Sequence, residues 1–314
     1  MTSTDESTRI TAVRFPALDG YELGGTLFEP AGDEQPKHAV VFNCGGGVPA
    51  AVYRRFANFL ASQGIPVLTY DYRGIGASRP ARLRGFHAVV EDWSECDGAG
   101  AIGYLRRHFP GAELVGIAHS VGGLLLGAAP NANQLSRFVL IGVHTGYFGD
   151  YRRGYRLPMA FVWHGFMPLM TRLVGYFPAS WFRLGHDIPA GVARQWAGRR
   201  APTLTGGGLR ADAGLARCAM LNGDALIVSV ADDAFATKAG TTRLLSYLPG
   251  LVPKVLTIRP HDVGMKKIGH FGFFRRGAET RVWPAIAAWI ADGTVSALQP
   301  PSLGPLEPKR SILQ

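Results

Sequence analysis

The chain has 314 residues, 47% of them hydrophobic, with 33 Lys and Arg against 23 Asp and Glu for a formal net charge of +10. This ordinary globular composition can fill one large α/β core with an insertion, and it excludes both a disordered chain and a small disulfide-stapled fold. Cys44, Cys96 and Cys218 lie far apart and form no Cys-x-x-Cys pair, so neither a disulfide framework nor a metal site is predicted.

Met1 to Thr8 is polar and acidic and lacks the basic start and apolar run of a secretory signal, which predicts a cytoplasmic protein. A period-2 pattern from Ile10 to Phe28, broken by Asp19 and Gly20, predicts a β-hairpin that ends in the polar stretch Pro30 to Pro36. From there short apolar runs alternate with helical patterns, the signature of βαβ units and a mostly parallel sheet. Strands are predicted at Ala39–Asn43, Val67–Tyr70, Glu113–Ala118, Phe138–Gly142, Ala225–Val230 and Lys254–Ile258. Tyr53, Phe56, Ala57 and Leu60 mark a first amphipathic helix stopped by Gly64 and Pro66, and Val282, Ile286, Trp289 and Ile290 mark a last one.

The alternation fails between Gly142 and Ala225, and a structureless loop of about eighty residues is improbable, so a mostly helical insertion is predicted there. Its most apolar run, Leu157 to Thr171, contains His164 and Pro168 and stops at Arg172. That falls short of the ~20 residues a membrane-spanning helix needs, so no stable membrane insertion is expected. Eight arginines lie between Arg152 and Arg200, interleaved with Phe, Trp, Met and Pro, and no nucleic-acid motif accompanies them. They read as a solvated rim, with attraction of an acidic substrate as the lesser reading, and not as a nucleic-acid surface. The division predicted is a core of residues 1–143 and 209–295, a helical cap of 144–208, and a loose proline-rich tail of 296–314.

The strand Glu113–Ala118 runs into His119-Ser120-Val121-Gly122-Gly123 and then an apolar helix start. A nucleophile elbow needs small residues two before and two after its serine, because the turn crowds strand against helix; Ala118 and Gly122 fill those positions. A serine is a weak nucleophile until a base takes its proton and a carboxylate orients that base. In this arrangement the acid and then the histidine follow in the chain. Asp232 and Asp233 come directly after the strand Ala225–Val230, and Asp233 is preferred because a helix start follows at the usual distance. Asp150 is an outside alternative. After the strand Lys254–Ile258 come His261 and His270; His270, between Gly269 and Phe271-Gly272, is the better placed base. For the oxyanion the backbone N–H of Val121 and that of Gly46, in Asn43-Cys44-Gly45-Gly46-Gly47, are the candidate donors. The glycine run lacks both the Gly-Lys-Ser/Thr of a phosphate loop and G-x-G-x-x-G spacing. Cys44, Gly45, His119, Phe161, Trp163 and Phe271 are candidate substrate-binding residues.

With Asp71-Tyr72-Arg73-Gly74-Ile75-Gly76-Ala77-Ser78 added to these motifs, the sequence resembles the α/β-hydrolase superfamily over about Ile10 to Val295, in its monoacylglycerol-lipase-like and serine-aminopeptidase-like branch. Cys44 stands where the first motif often has His-Gly, and Ala118 where the elbow often has Gly. The resemblance implies an eight-stranded, mostly parallel sheet flanked by helices, a cap after the sixth strand, and hydrolysis of acyl bonds without a cofactor. The expected function is a serine esterase, lipase-like, acting on a moderately hydrophobic small-molecule acyl ester through an acyl-enzyme on Ser120. The alternatives are a thioesterase or acyltransferase using the same residues, and a non-catalytic binding protein of the same fold.

Overall fold

The structure, a computed structural model, describes residues 3–5, 7–32, 34–204 and 209–294. The strands in chain order are β1 (Ser3–Asp5), β2 (Thr8–Pro16), β3 (Glu22–Pro30), β4 (His38–Asn43), β5 (Val67–Tyr70), β6 (Glu113–His119), β7 (Leu135–Ile141), β8 (Tyr176–Phe177), β9 (Ile188–Pro189), β10 (Gly223–Val230) and β11 (Leu251–Ile258). Nine of them form one sheet in the order β1-β2-β3-β5-β4-β6-β7-β10-β11, parallel from β5 to β11 and antiparallel across β1, β2, β3 and β5. Eight of the nine are those the alternation predicts, and β1 adds a three-residue edge to β2.

The helices are α1 (Arg54–Ser62), α2 (Val90–Asp92), α3 (Ala99–His108), α4 (Gly122–Ala128), α5 (Arg153–Phe161), α6 (Met167–Val174), α7 (Ala190–Gly198), α8 (Leu209–Met220), α9 (Lys238–Leu245), α10 (Arg276–Glu279) and α11 (Trp283–Asp292). Successive side chains of a strand point to opposite faces, and the central strands are buried on both. Val41 sits beside Gly116, and a Cβ on Gly116 would lie 2.7 Å from Leu126 of α4. The next pair, Phe42 and Ile117, points the other way, where Phe42 meets Phe56 of α1 edge-on at 6.3 Å. Phe56 in turn packs on Trp283 of α11 at 5.3 Å. Helices therefore cover both faces of β4 and β6, and the carboxyl ends of these strands project from between them.

Where the alternation fails, between β7 and β10, the chain makes α5 to α8 and the two-stranded ribbon of β8 and β9. Residues 205–208 of the expected cap and the whole expected tail, 296–314, lie outside the described residues. Among the described residues no helix is long and apolar enough to cross a membrane.

The Asp71–Ser78 motif locks the loop after β5. Asp71 accepts the N–H groups of Ala50 and Ala77, both at 2.7 Å, and a Cβ on Gly76 would meet its carboxylate, which is why glycine stands there. Arg73 donates from Nε to Asp97 and from both terminal nitrogens to Asp19, each at 2.7 Å. The Asp97 side chain is fully buried and Arg73 nearly so, so removing one partner strands the other charge in the interior. Arg73→Met is expected to lower unfolding stability by about 3–5 kcal/mol, and Arg73→Met with Asp97→Asn to recover part of that, in urea titrations. Equal losses for the single and double variants would reject this account.

Candidate active site

The expected site residues sit at the carboxyl ends of strands that are neighbours in the sheet, β4, β6, β7, β10 and β11, where open α/β sheets bind their ligands. Ser120 follows β6 directly and adopts φ of +58°, a conformation few non-glycine residues take, held by the turn between strand and helix. The turn tolerates no larger neighbour: a Cβ on Gly122 would come 2.4 Å from the Cys44 carbonyl oxygen.

The Ser120 hydroxyl lies 3.1 Å from His270 Nε2, and His270 Nδ1 lies 2.7 Å from Asp233 Oδ2. Beside a carboxylate, Nδ1 carries the proton, which leaves Nε2 to accept from Ser120. The other Asp233 oxygen accepts the N–H groups of Phe235 at 2.8 Å and Ala236 at 3.0 Å. Burial raises the Asp233 pKa, but the hydrogen bond and charge of His270 and these two N–H groups outweigh it and bring it down to about 2. The carboxylate is therefore ionised throughout the neutral range.

Asp232 takes a different place. Its carboxylate accepts the N–H groups of Ile268 at 3.0 Å and Gly269 at 2.9 Å, so it pins the loop that carries His270 and does not meet the imidazole. Gly269 turns at φ of +61°, the left-handed conformation that lets the loop project His270. Asp150 and His261 are engaged away from the serine: Asp150 takes a two-point ion pair with Arg243, and His261 is exposed beside Asp262.

The candidate oxyanion donors flank the serine. Neither the Gly46 nor the Val121 backbone N–H meets an acceptor among the described residues. A Cβ on Gly46 would lie 2.6 Å from the Trp196 ring and 2.9 Å from a Val121 methyl, which brings the two loops together under Trp196 of α7. The inserted segment thus packs on the glycine loop, with Ile188 against Gly47 as well. Trp163 lies 5.3 Å from Trp196, whose indole N–H is buried with no partner among the described residues.

The remaining substrate-binding candidates divide. Gly45 lies against Ser120, a Cβ there coming 3.3 Å from the serine's own, and Phe271 is partly exposed beside the His119 and His270 rings. Cys44, expected as a lining residue, is fully buried; its thiol donates to the Tyr70 carbonyl at 3.2 Å, and burial raises its pKa well above the ordinary value. Phe161, expected in a pocket, is 69% exposed on α5, a helix with no buried residue. Its helix offers no face to the core, so the ring stays in solvent.

His119, also expected to touch substrate, is wholly buried and belongs to a chain of hydrogen bonds instead. Gly45 N–H donates to the Tyr53 hydroxyl oxygen at 2.9 Å, that hydroxyl donates to His119 Nδ1 at 2.9 Å, and His119 Nε2–H donates to the His270 carbonyl at 3.0 Å. A carbonyl can only accept, so the direction of the chain and the neutral tautomer of His119 are fixed. Burial, with the His270 charge adding to it, holds the His119 pKa well below normal. The chain links the glycine loop to the His270 loop through the interior. Tyr53 reads in sequence only as a helix-face aromatic, and no local pattern marks its second role.

His144 is the other residue that sequence reasoning missed. It lies just past the end of β7, with Nε2 3.1 Å from Ser120 Oγ and Nδ1 accepting the Gly146 N–H at 2.9 Å. Read in sequence, it is only the first residue of the expected cap, and its one signal is a histidine soon after a strand's carboxyl end. A cavity of about 350 Å³ lies behind α4, bordered by Ser94, Leu124, Leu125, Arg199 and Leu204. Ser120, Asp233 and His270 do not border it, and we assign it no part in the chemistry.

A carboxyl-edge serine at a strained turn, an imidazole and carboxylate in line, and backbone N–H groups with no acceptor among the described residues have the geometry that attack on an acyl carbon requires. The fold is the α/β-hydrolase fold. Residues 34–164 match the model of the family described as Serine aminopeptidase, S33. Among solved structures the protein resembles an esterase from Pyrococcus furiosus, at 14% identity and a TM-score of 0.55 over 90% of this chain and 91% of that one. It also resembles a monoacylglycerol lipase from Paleococcus ferrophilus, at 15% identity and 0.56 over 87% and 99%. A puromycin-hydrolyzing peptidase from Mycobacterium tuberculosis matches at 17% identity and 0.56 over 90% of this chain but only 39% of its own. At such identities the likeness is one of fold. No curated protein matches the sequence.

Proposed function

We propose that the protein is a serine esterase acting on moderately hydrophobic acyl esters. The observation that carries this reading is the in-line array of Ser120, His270 and Asp233 beside the unpaired N–H groups of Gly46 and Val121. In this reading His270 takes the Ser120 proton as Oγ bonds to the acyl carbon, and the carbonyl oxygen's charge falls on the two N–H groups. The tetrahedral intermediate collapses, the acyl–oxygen bond breaks and His270 passes its proton to the leaving alcohol. Water then repeats the sequence on the acyl-enzyme, with Ser120 leaving.

The substrate class is inferred from what surrounds the glycine loop. Trp196, Trp163 and Ile188 present apolar surface there, suited to an acyl chain and to excluding water. A peptidase acting on a free amino terminus needs an unpaired carboxylate nearby. Among residues 144–204, which pack toward the glycine loop, the acids are Asp150, paired with Arg243, and Asp187, paired with Arg79 and Ser180. This favours esters over aminoacyl substrates.

With p-nitrophenyl esters from acetyl to lauroyl, kcat/KM is expected to peak at a medium chain length, and aminoacyl anilides are expected to be turned over far more slowly. Faster hydrolysis of the anilides would replace the esterase reading with a peptidase. Faster hydrolysis of coenzyme A thioesters would replace it with a thioesterase.

A further inference from the structure

We propose that His144 is a second catalytic imidazole, one that donates a hydrogen bond to Ser120 Oγ throughout the reaction and never exchanges its proton. The proposal rests on Ser120 being the nucleophile. Both His144 Nε2 and His270 Nε2 lie 3.1 Å from the same oxygen. A hydroxyl has one hydrogen, so it can donate to only one of them and must accept from the other.

The neighbours decide which. His270 has its Nδ1 proton committed to Asp233, so its Nε2 is an acceptor. His144 has its Nδ1 lone pair committed to the Gly146 N–H, so its proton lies on Nε2 and points at the serine. One consistent direction results: His144 Nε2–H to Ser120 Oγ, Ser120 O–H to His270 Nε2, His270 Nδ1–H to Asp233. The fold holds His144 in this attitude. Gly142 turns at φ of +53° after β7 with its N–H on the Val228 carbonyl, Val143 packs on Gly123 of α4, and the His144 ring stands edge-on to Tyr151 at 5.6 Å.

His144 cannot serve as a second base. Its free nitrogen is taken by a backbone donor, and burial, with the nearby His270 charge adding to it, lowers its pKa to about 3. A neutral, fixed donor is instead suited to the charge that builds on Oγ. In acylation that charge appears as the proton moves to His270 and the Oγ–carbon bond forms. In deacylation it reappears as that bond breaks and His270 returns the proton to Oγ. Hydrogen bonds to charge are stronger than those to neutral oxygen, so the donor gains most where Oγ is most anionic.

The test uses the full chain and a fluorophosphonate probe, with the rate of Ser120 modification followed by intact mass. His144→Leu, which removes the donor and keeps volume, is expected to label about 10- to 100-fold more slowly than wild type. His144→Gln, whose side-chain amide can reach the Nε2 position, is expected to label at least tenfold faster than His144→Leu at a matched melting temperature. Labelling of folded His144→Leu within threefold of wild type, or a Gln variant as slow as the Leu one, would overturn the proposal. A readout free of variants is the tautomer: nitrogen-15 shifts at neutral pH should show the His144 proton on Nε2, and a proton on Nδ1 overturns the proposal directly. If wild type does not label at Ser120 at all, the nucleophile reading fails too, and that result differs from a normally labelled wild type with an unaffected His144→Leu.

Discussion

Ser120→Ala is expected to lower kcat/KM for the best p-nitrophenyl ester by about 10⁶-fold and to abolish fluorophosphonate labelling. Everything else in the array can act only on the serine's oxygen: His270 has no other proton to take, and the donors of Gly46 and Val121 have no covalent intermediate to hold. What stays behind is a binding site with free N–H groups, which leaves a small rate above the uncatalysed one. The fold should survive, because the elbow is shaped by Gly122 and Gly123 packing on the Cys44 carbonyl and Val143, not by the hydroxyl. The measurement is steady-state kinetics with circular dichroism as a control. A folded Ser120→Ala that retains more than a hundredth of wild-type activity would remove Ser120 from the mechanism.

The second large effect separates two adjacent carboxylates. Asp233→Asn is expected to cost about 10⁴-fold in kcat, because an amide beside Nδ1 favours the tautomer with its proton on Nε2, which cannot accept from Ser120. Asp232→Asn is expected to cost about tenfold or less, since its carboxylate holds the backbone of Ile268 and Gly269 and one amide oxygen can still accept from them. Equal losses would mean that pinning the loop matters as much as orienting the ring. The pH dependence distinguishes the two residues further. Asp233 has its pKa depressed to about 2, so any stability it contributes is present above the ordinary carboxylate value of about 3.9 and is lost as pH falls toward 2. It stays charged wherever activity is measured, so an acid limb near neutrality does not belong to Asp233.

Much of the architecture can be read along the chain. Val67–Tyr70 has the same bounds in prediction and structure, and the stripe of Tyr53, Phe56, Ala57 and Leu60 does face the core beside β3 and β5. The elbow is legible for a steric reason: Gly122 has a carbonyl where a side chain would be. The inserted segment is legible only as a failure of pattern. Nothing in its composition separates Trp196, which packs over Gly46, from Phe161, which is left in solvent, because both are aromatics on helices and differ only in what their helix meets.

The site shows the same division. The order of serine, aspartates and histidine, each soon after a strand, places candidates at one edge of the sheet. It does not say which way a carboxylate turns, and Asp232 and Asp233 differ by one step of backbone in a loop. Tyr53 carries no local signature and His144 only its place just past a strand's end, since His119 and Ser120, which they meet, lie 66 and 24 positions away in the chain. The sequence by itself therefore determined the order of strands and helices, the elbow, and the positions of glycine, because these follow from residues within a turn or a strand of one another. Only the tertiary structure decided which carboxylate meets the imidazole, which nitrogen of each histidine bears its proton, and that two imidazoles share one serine oxygen. Those outcomes depend on which strands lie side by side and on the backbone groups that their loops bring into reach.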